Sequence, residues 1–103
     1  MNEESGAALQ QKILQETARY PWSELMRQFA AGNVLAVADG LDLVEIAYWI
    51  ASDNAAAIAP LLTSGQLGKV SDAQAQQWLT DQAEVWTVVV KPWIVVQHQK
   101  IAH

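Results

Sequence analysis

Residues 85–96 hold the densest run of β-branched and aromatic side chains: Val-Trp-Thr-Val-Val-Val-Lys-Pro-Trp-Ile-Val-Val. Such residues suit a pleated strand, and apolar residues on both alternating faces are typical of a strand covered on both sides. We therefore predict one inner β-strand. Pro92 cannot donate to a ladder, so we expect it at a bulge, a break or an open side. Counted alternately, one face carries Trp86, Val88, Val90, Pro92, Ile94 and Val96.

Apolar residues at helical spacing predict two helices before residue 32. The first runs from about Ala7 to Arg19 and is expected to end before Pro21, because proline disfavours helix in the residue that precedes it. The second begins at Pro21, follows an apolar stripe over Trp22–Ala30 and stops at Gly32. Together they predict a helical hairpin over residues 7–31.

The next segment predicts a strand, a turn and a helix. Residues 33–38 are short and apolar, and the Asp-Gly pair at 39–40 makes a turn. Asp42 and Glu45 then have the spacing of a capping box, which opens a helix over residues 43–52. Glu45 is the single charge of this helix, so we expect the helix to be buried or to form an interface.

Two further helices and a weak strand follow. A helix over residues 54–62 contains Pro60, where we expect a kink or an early stop because proline removes a hydrogen bond and clashes with the preceding turn. Residues 66–70 predict a short strand. Ser71 is the first half of another capping box and opens a helix from residue 72 to about residue 84.

Residues 33–70 are therefore predicted in the order strand, helix, turn, helix, short strand. This order is similar to the core of winged-helix domains, although a helix and not a hairpin wing follows Val70. The segment that would be the recognition helix, residues 54–59, has no Arg or Lys to reach bases or phosphates. A winged-helix-like, transcription-associated protein is one candidate function.

The elements together predict a single α+β domain of 103 residues, with residues 1–6 and 99–103 frayed. The helical hairpin and the later helices are expected to pack on a small sheet whose main strands lie at residues 34–37 and 85–96. The helix over residues 43–52 is expected to be the most buried one.

Composition narrows the function classes. With 51% hydrophobic and 17% charged residues, the chain can fold, and its net charge of −5 with scattered basic residues argues against nucleic acid. The lack of cysteine excludes disulfides and thiolate metal sites. The acidic N-terminus predicts no secretory signal, and no apolar run reaches the about 20 residues of a membrane helix, so we expect a cytoplasmic protein without a membrane partner.

The candidate ligand-binding residues are Asp39, Asp42, Glu45 and Lys91. The three acidic residues are grouped at a strand-to-helix junction, and hard cations take several carboxylate oxygens. The alternative, which we favour, assigns them to a turn, an N-cap and a capping box. Lys91 is interpreted either as an edge-protecting charge, which we favour, or as an anion-binding group. The histidines lack the spacing of a zinc-binding helix, and no metal ligand set is predicted. No cofactor or catalytic constellation is predicted either.

Five tryptophans in so short a chain indicate a bulky core or an adhesive surface. Trp49, Trp86 and Trp93, together with Tyr48, are the candidate interface residues. The excess of large apolar side chains over what about 100 residues can bury favours a non-enzymatic interaction or assembly protein. Its partner would be another protein or a second copy of the chain, as in a homodimer. A small-ligand or metal-dependent site at Asp39, with Asp42 and Glu45, is the alternative from another class.

Two stretches resemble a family of small bacterial proteins classified as a domain of unknown function. They are Leu-Asp-Leu-Val-Glu-Ile-Ala at residues 41–47 and Trp-Thr-Val-Val-Val-Lys-Pro-Trp-Ile-Val-Val-Gln at residues 86–97. Residues 16–19 and 21–25 fit the same family, so the resemblance covers nearly the whole chain. It implies a small bacterial protein but no substrate, cofactor or catalytic residue. Pro60 departs from it, since a helix former is expected there.

Overall fold

A computed structural model of the chain describes residues 3–99. The predicted α+β class is confirmed, because helices and one sheet make up the described part. The expected frayed ends fall partly on residues 1–2 and 100–103, which lie outside it. The helices are α1 (Glu3–Glu16), a 3₁₀ helix (Trp22–Leu25), α2 (Met26–Ala30), α3 (Leu43–Ala51), α4 (Ala55–Ser64) and α5 (Asp72–Thr80). The strands are β1 (Ala18–Pro21), β2 (Val34–Val37), β3 (Leu67–Lys69), β4 (Glu84–Val90) and β5 (Trp93–Gln97).

The sheet has the strand order β1-β4-β5-β2-β3. The valine-rich segment lies in its interior, as predicted, but the prediction of one strand was wrong. The segment forms two antiparallel strands, β4 and β5, joined by a turn at Lys91 and Pro92. Pro92 therefore lies at a break, which was one of its expected positions. β2 pairs in parallel with β5, and the other pairs are antiparallel.

The turn also corrects the predicted assignment of residues to the two faces. Val90 is paired with Trp93, and directly paired residues point to the same face of a sheet. Trp93 and Val95 therefore lie on the face of Trp86 and Val88, whereas Ile94 and Val96 lie on the opposite face. A continuous strand would have placed them the other way round, because side chains alternate with a period of two.

Each face of the sheet carries its own layer of helices. We call face A the side where α1, α3 and α4 pack, through Ile13, Ile46 and Ile58 among others. Face B is the side where the 3₁₀ helix, α2 and α5 pack, with Trp22 and Trp78 at its centre. The two hydrophobic clusters explain why β4 and β5 are apolar on both sides.

The predicted helical hairpin needs a correction, because β1 separates its two helices. α1 ends at Glu16, and the chain then forms an edge strand that pairs with β4. The backbone N–H of Trp22 donates to the Ala83 carbonyl over 2.9 Å. Because hydrogen-bonded positions alternate along an antiparallel strand, the nitrogen of the preceding Pro21 points away from β4, where no donor is needed. The strand carries the chain from face A to face B, so the helices on its two sides do not pack as a pair.

The predicted order of elements over residues 33–70 is confirmed. α3 has more buried residues than α5, while α4 has none, in keeping with the expectation for α3. The early stop expected at Pro60 does not occur, since α4 continues to Ser64 and ends at Gly65, which has a φ of +79°. Pro60 and Ala56 are both exposed, so the carbonyl that loses its donor can bind water. α5 follows β3 in the place of a wing.

The last helix, α5, is shorter than predicted and ends at Thr80. It stops there because Gln82 has a φ of +52° and the Ala83 N–H closes on the Trp78 carbonyl. Within residues 3–99, no helix combines the length and the apolar character that crossing a bilayer requires.

Candidate functional site

The three predicted acidic residues have separate positions in the structure. Asp42 is the N-cap of α3, where its Oδ1 accepts the Glu45 N–H over 3.2 Å. The Oδ1 of Asp39 accepts the Gln99 N–H over 3.0 Å. Among the described side chains, those of residues 6–99, no group of three acidic or histidine residues is arranged to hold a metal ion. Asp42 thus has the N-cap role that we favoured, whereas Asp39 lies in the predicted turn and its side chain bonds to a residue 60 positions away.

Asp39 nevertheless borders a concave site, which we call the polar cleft. Its volume is about 340 Å³, and the acidic and imidazole groups in its lining are Asp39, Asp81 and His98. Gln74, Gln77 and Trp78 contribute the helical wall. The Asp81 Oδ2 accepts from the Gln77 Nε2 over 2.9 Å, and the His98 ring lies 6.1 Å from that of Trp78.

The parallel pairing of β2 and β5 creates this cleft. Their register, with Ala36 opposite Val96, brings the carboxyl ends of both strands to the same end of the sheet. Asp39 follows β2 and His98 follows β5, so residues far apart in sequence become neighbours. Crevices at the carboxyl ends of parallel strands commonly bind ligands. Sequence reasoning missed His98, because nothing in the sequence predicted that register, and it missed Asp81, which lines the cleft from the end of α5.

Gln97 holds the loop that carries Asp39 against the sheet. Its side chain is fully buried, and Nε2 donates to the carbonyl oxygens of Ala38 and Leu41, each over 2.8 Å. Its Oε1 is buried without a hydrogen-bond partner. A buried Oε1 without a partner costs free energy of folding, and the two hydrogen bonds from Nε2, which hold the loop in place, offset that cost.

Lys91 is not the mid-strand residue that we predicted. It is exposed in the turn between β4 and β5, and so it protects no sheet edge. The lysine that lies on an edge strand is Lys69, the last residue of β3.

The structure brings together two of the four predicted interface residues. Trp49 and Trp93, both half-buried, line one concave site. Tyr48 instead packs against α1, where a Cβ on Gly6 would lie 2.9 Å from its hydroxyl oxygen. Trp86 lies on face A beneath the Arg19 guanidinium, whose carbon is 5.7 Å from the ring centroid.

We call the site of Trp49 and Trp93 the apolar groove. It has a volume of about 400 Å³ and lies between the sheet at the β3 edge and the junction of α3 with α4. Leu62 borders it with 53% of its surface exposed. Lys69, Asp53 and Asn54 are its charged and amide residues. The remaining lining residues are Leu35, Ile50, Ala55, Ile58, Leu67 and Gly68.

A smaller exposed apolar area lies on face B. It includes Val89, which is 53% exposed, and Tyr20, which is 45% exposed. Glu16, Glu24, Gln28 and Thr87 interrupt it, and it lacks tryptophan. The apolar groove is therefore the more continuous of the two surfaces.

Comparisons with known proteins agree with this fold. A family model described as "Protein of unknown function (DUF2288)" matches residues 8–98. A solved structure described as "NMR solution structure of PA1075 from Pseudomonas Aeruginosa" has 42% sequence identity and a TM-score of 0.78. The similarity covers 88% of this chain and 84% of that one. A search of curated proteins finds no match. Neither of the two descriptions states an activity.

Proposed function

This chain belongs to the DUF2288 family of proteins of unknown function, and on that premise we propose that it is a non-enzymatic interaction protein of the bacterial cytosol. Its apolar groove docks an apolar segment of a partner protein. The observation that carries this proposal is the exposure of Leu62 beside the half-buried Trp49 and Trp93. Exposed apolar patches with a polar border mark interaction sites, and tryptophan is enriched among residues that dominate binding energy.

The acidic residues support binding more than catalysis. Asp42 caps a helix and Asp39 accepts a backbone N–H, so each already has a structural partner. Helix capping and the bond to the Gln99 N–H therefore account for the positions of these two carboxylates without a catalytic role.

A second candidate function is the binding of a small polar ligand in the polar cleft. The specific observation in its favour is that Asp39, Asp81 and His98 line one cleft at the carboxyl ends of two parallel strands. Ligand-induced shifts of the His98 ring signals in an NMR titration with a small-molecule collection would support it, and an unchanged His98 would contradict it.

Selection from a displayed library of random peptides tests the leading proposal. Leu62→Gln is the groove variant, and Val89→Gln is the matched control, because both residues are 53% exposed and Val89 lies on face B, away from the groove. We expect peptides rich in large apolar residues to be selected. Their affinity should fall roughly tenfold on Leu62→Gln, since burying a leucine contributes about 1.5–3 kcal/mol, and should not change on Val89→Gln.

Two results would contradict groove docking: no enrichment of peptides over background, or equal losses on the two variants. Far-UV circular dichroism confirms that both variants fold. Sedimentation velocity of the wild-type chain then shows whether the partner includes a second copy, because a homodimer through the groove would be weakened by Leu62→Gln alone.

A further inference from the structure

The apolar groove opens beside the edge strand β3, and some backbone N–H and C=O groups of that strand do not bond to β2. The Ala38 N–H donates to the Gln66 carbonyl over 2.9 Å, and the Val70 N–H donates to the Val34 carbonyl over 3.4 Å. In an antiparallel pair, hydrogen-bonded positions alternate. The backbone N–H and C=O groups of residues 66, 68 and 70 therefore point toward β2, while those of Leu67 and Lys69 point away from the sheet.

These outward groups find no backbone partner in the described part of the chain. β3 is the last strand in the sheet order, and none of the turn and loop hydrogen bonds among residues 3–99 involves Leu67 or Lys69. Unpaired groups on an edge strand are a template for another extended chain. Leu67 and Lys69 also line the groove, so the edge and the apolar surface form one continuous site.

Lys69 adds a charge to this site. Its side chain is exposed, and the ion pair found where side chains are described, at residues 6–99, joins Arg19 to Glu84 elsewhere. The Lys69 ammonium lies near the turn after α2, 3.6 Å from the position of a Cβ on Gly32. A lysine and a short strand discourage pairing with ordinary strands. A partner with a carboxylate near this position would convert the same lysine into a specificity contact.

We propose that the partner binds as an added β-strand, an inference that rests on the proposed function of the groove. An extended segment of another protein pairs with β3, inserts large apolar side chains beside Leu62 and Trp93, and places an Asp or Glu beside Lys69. Main-chain hydrogen bonds supply affinity in this mode, and alternate side chains supply specificity. An amphipathic helix satisfies its own backbone groups and would make no use of the outward N–H and C=O groups of β3.

A panel of synthetic peptides tests the mode of binding. In the extended peptides Leu or Trp alternates with Thr, and one of the Leu or Trp positions carries Asp or Asn instead, because Lys69 lies on face A with the groove. A second set has the same composition in a helical pattern. N-methylation blocks one backbone N–H at a time. We expect it to weaken binding roughly tenfold at alternate positions only, because every second N–H of an added strand faces β3.

Variants of the chain test separately the contact of the Lys69 side-chain charge and the contact of the Lys69 backbone N–H. The Asp peptide is expected to bind about two- to fivefold more tightly than the Asn peptide, and this preference should vanish in Lys69→Gln. Lys91→Gln is the matched control, since Lys91 is an exposed lysine outside the groove lining. Lys69→Pro additionally removes the outward N–H and is expected to weaken both peptides, while edge positions tolerate proline in the fold.

The outcomes distinguish the binding mode from the function. If extended peptides bind and lose affinity on Leu62→Gln, but N-methylation has no alternating effect, strand addition is wrong and groove docking stands. Tighter binding of the helical peptides than of the extended peptides would likewise refute strand addition and leave groove docking in place. If neither set binds, the proposed function itself fails. A dimer of the chain that Lys69→Pro dissociates would overturn the assignment of the edge to a different protein.

Discussion

Replacing Gln97 by Glu tests how the loop that carries Asp39 is held. In the wild-type chain the fully buried Nε2 donates to two carbonyl oxygens at 2.8 Å. A carboxylate at that position loses both hydrogen bonds, at about 1 kcal/mol each. An unpaired charge without access to water costs roughly a further 3–5 kcal/mol. We therefore expect Gln97→Glu to lower the free energy of unfolding by several kcal/mol at pH 7.

Gln97→Leu separates the loss of hydrogen bonds from the burial of charge. It loses the same two bonds, but it also removes the buried Oε1 that has no partner. Its expected cost is about 1–2 kcal/mol. Gln99→Glu is the surface control, because this residue is exposed and its bond to Asp39 comes from the backbone N–H. We expect that change to stay within about 0.5 kcal/mol.

Urea unfolding followed by tryptophan fluorescence, repeated between about pH 4 and pH 8, measures these differences. Burial beside two carbonyl oxygens is expected to raise the pKa of the introduced carboxyl in the folded state above its unfolded value of about 4.3. Below the unfolded pKa the carboxyl is neutral in both states. The deficit of Gln97→Glu therefore grows as the pH rises through that value, and it levels off above the folded pKa.

Unfolding of Gln97→Glu and Gln97→Leu at the same urea concentration over this whole pH range would refute the burial of the introduced carboxylate away from water. Unfolding of Gln97→Leu at the wild-type urea concentration would refute the predicted role of the amide hydrogen bonds. Comparison with wild type at each pH removes the contribution of the other carboxylates.

Three further predictions use the same unfolding assay. Asp42→Ala is expected to lower the free energy of unfolding by about 1 kcal/mol through loss of the α3 cap, whereas Asp42→Asn retains it; equal losses would contradict the cap. Pro60→Ala is expected to raise stability by about 1 kcal/mol, because it restores a hydrogen bond within α4, and a loss would show that the helix depends on the proline. Arg19→Ala is expected to cost at most about 1 kcal/mol, since its bond to Glu84 is half exposed at 3.6 Å, and a cost unchanged by high salt would contradict an ionic contribution.

The features that local sequence predicted correctly are those that depend on near neighbours. Asp42 and Ser71 each accept an N–H from the residue three positions ahead, as the capping patterns require. Gly65 ends α4 with a positive φ that glycine adopts readily. The strand at β2 and the Asp-Gly turn after it were predicted for the same reason.

The features that the sequence did not predict depend on distant partners. β1 is a strand because it pairs with β4, although its own four residues fit the end of a helix equally well. A continuous strand and a tight hairpin have the same apolar composition, so the valine-rich segment did not distinguish them. α4 continues through Pro60 because its surroundings leave that side of the helix open to water.

The candidate sites divide in the same way. Asp39 was identified from its position in a turn, and Trp49 and Trp93 from their size and hydrophobicity. The other residues of each site were not identified, because His98 lines the same cleft as Asp39 through the parallel pairing of β2 with β5, and Trp93 lines the same groove as Trp49 because both lie on the side of face A.

The sequence alone determined the α+β class, the helix caps, the principal turns and the presence of an inner valine-rich sheet, because these follow from interactions over a few residues. Tertiary structure decided the strand order, the face on which each tryptophan lies and the two concave sites. Those properties depend on register and on packing between distant segments, and the energy of such contacts exists only once the sheet has brought the segments together.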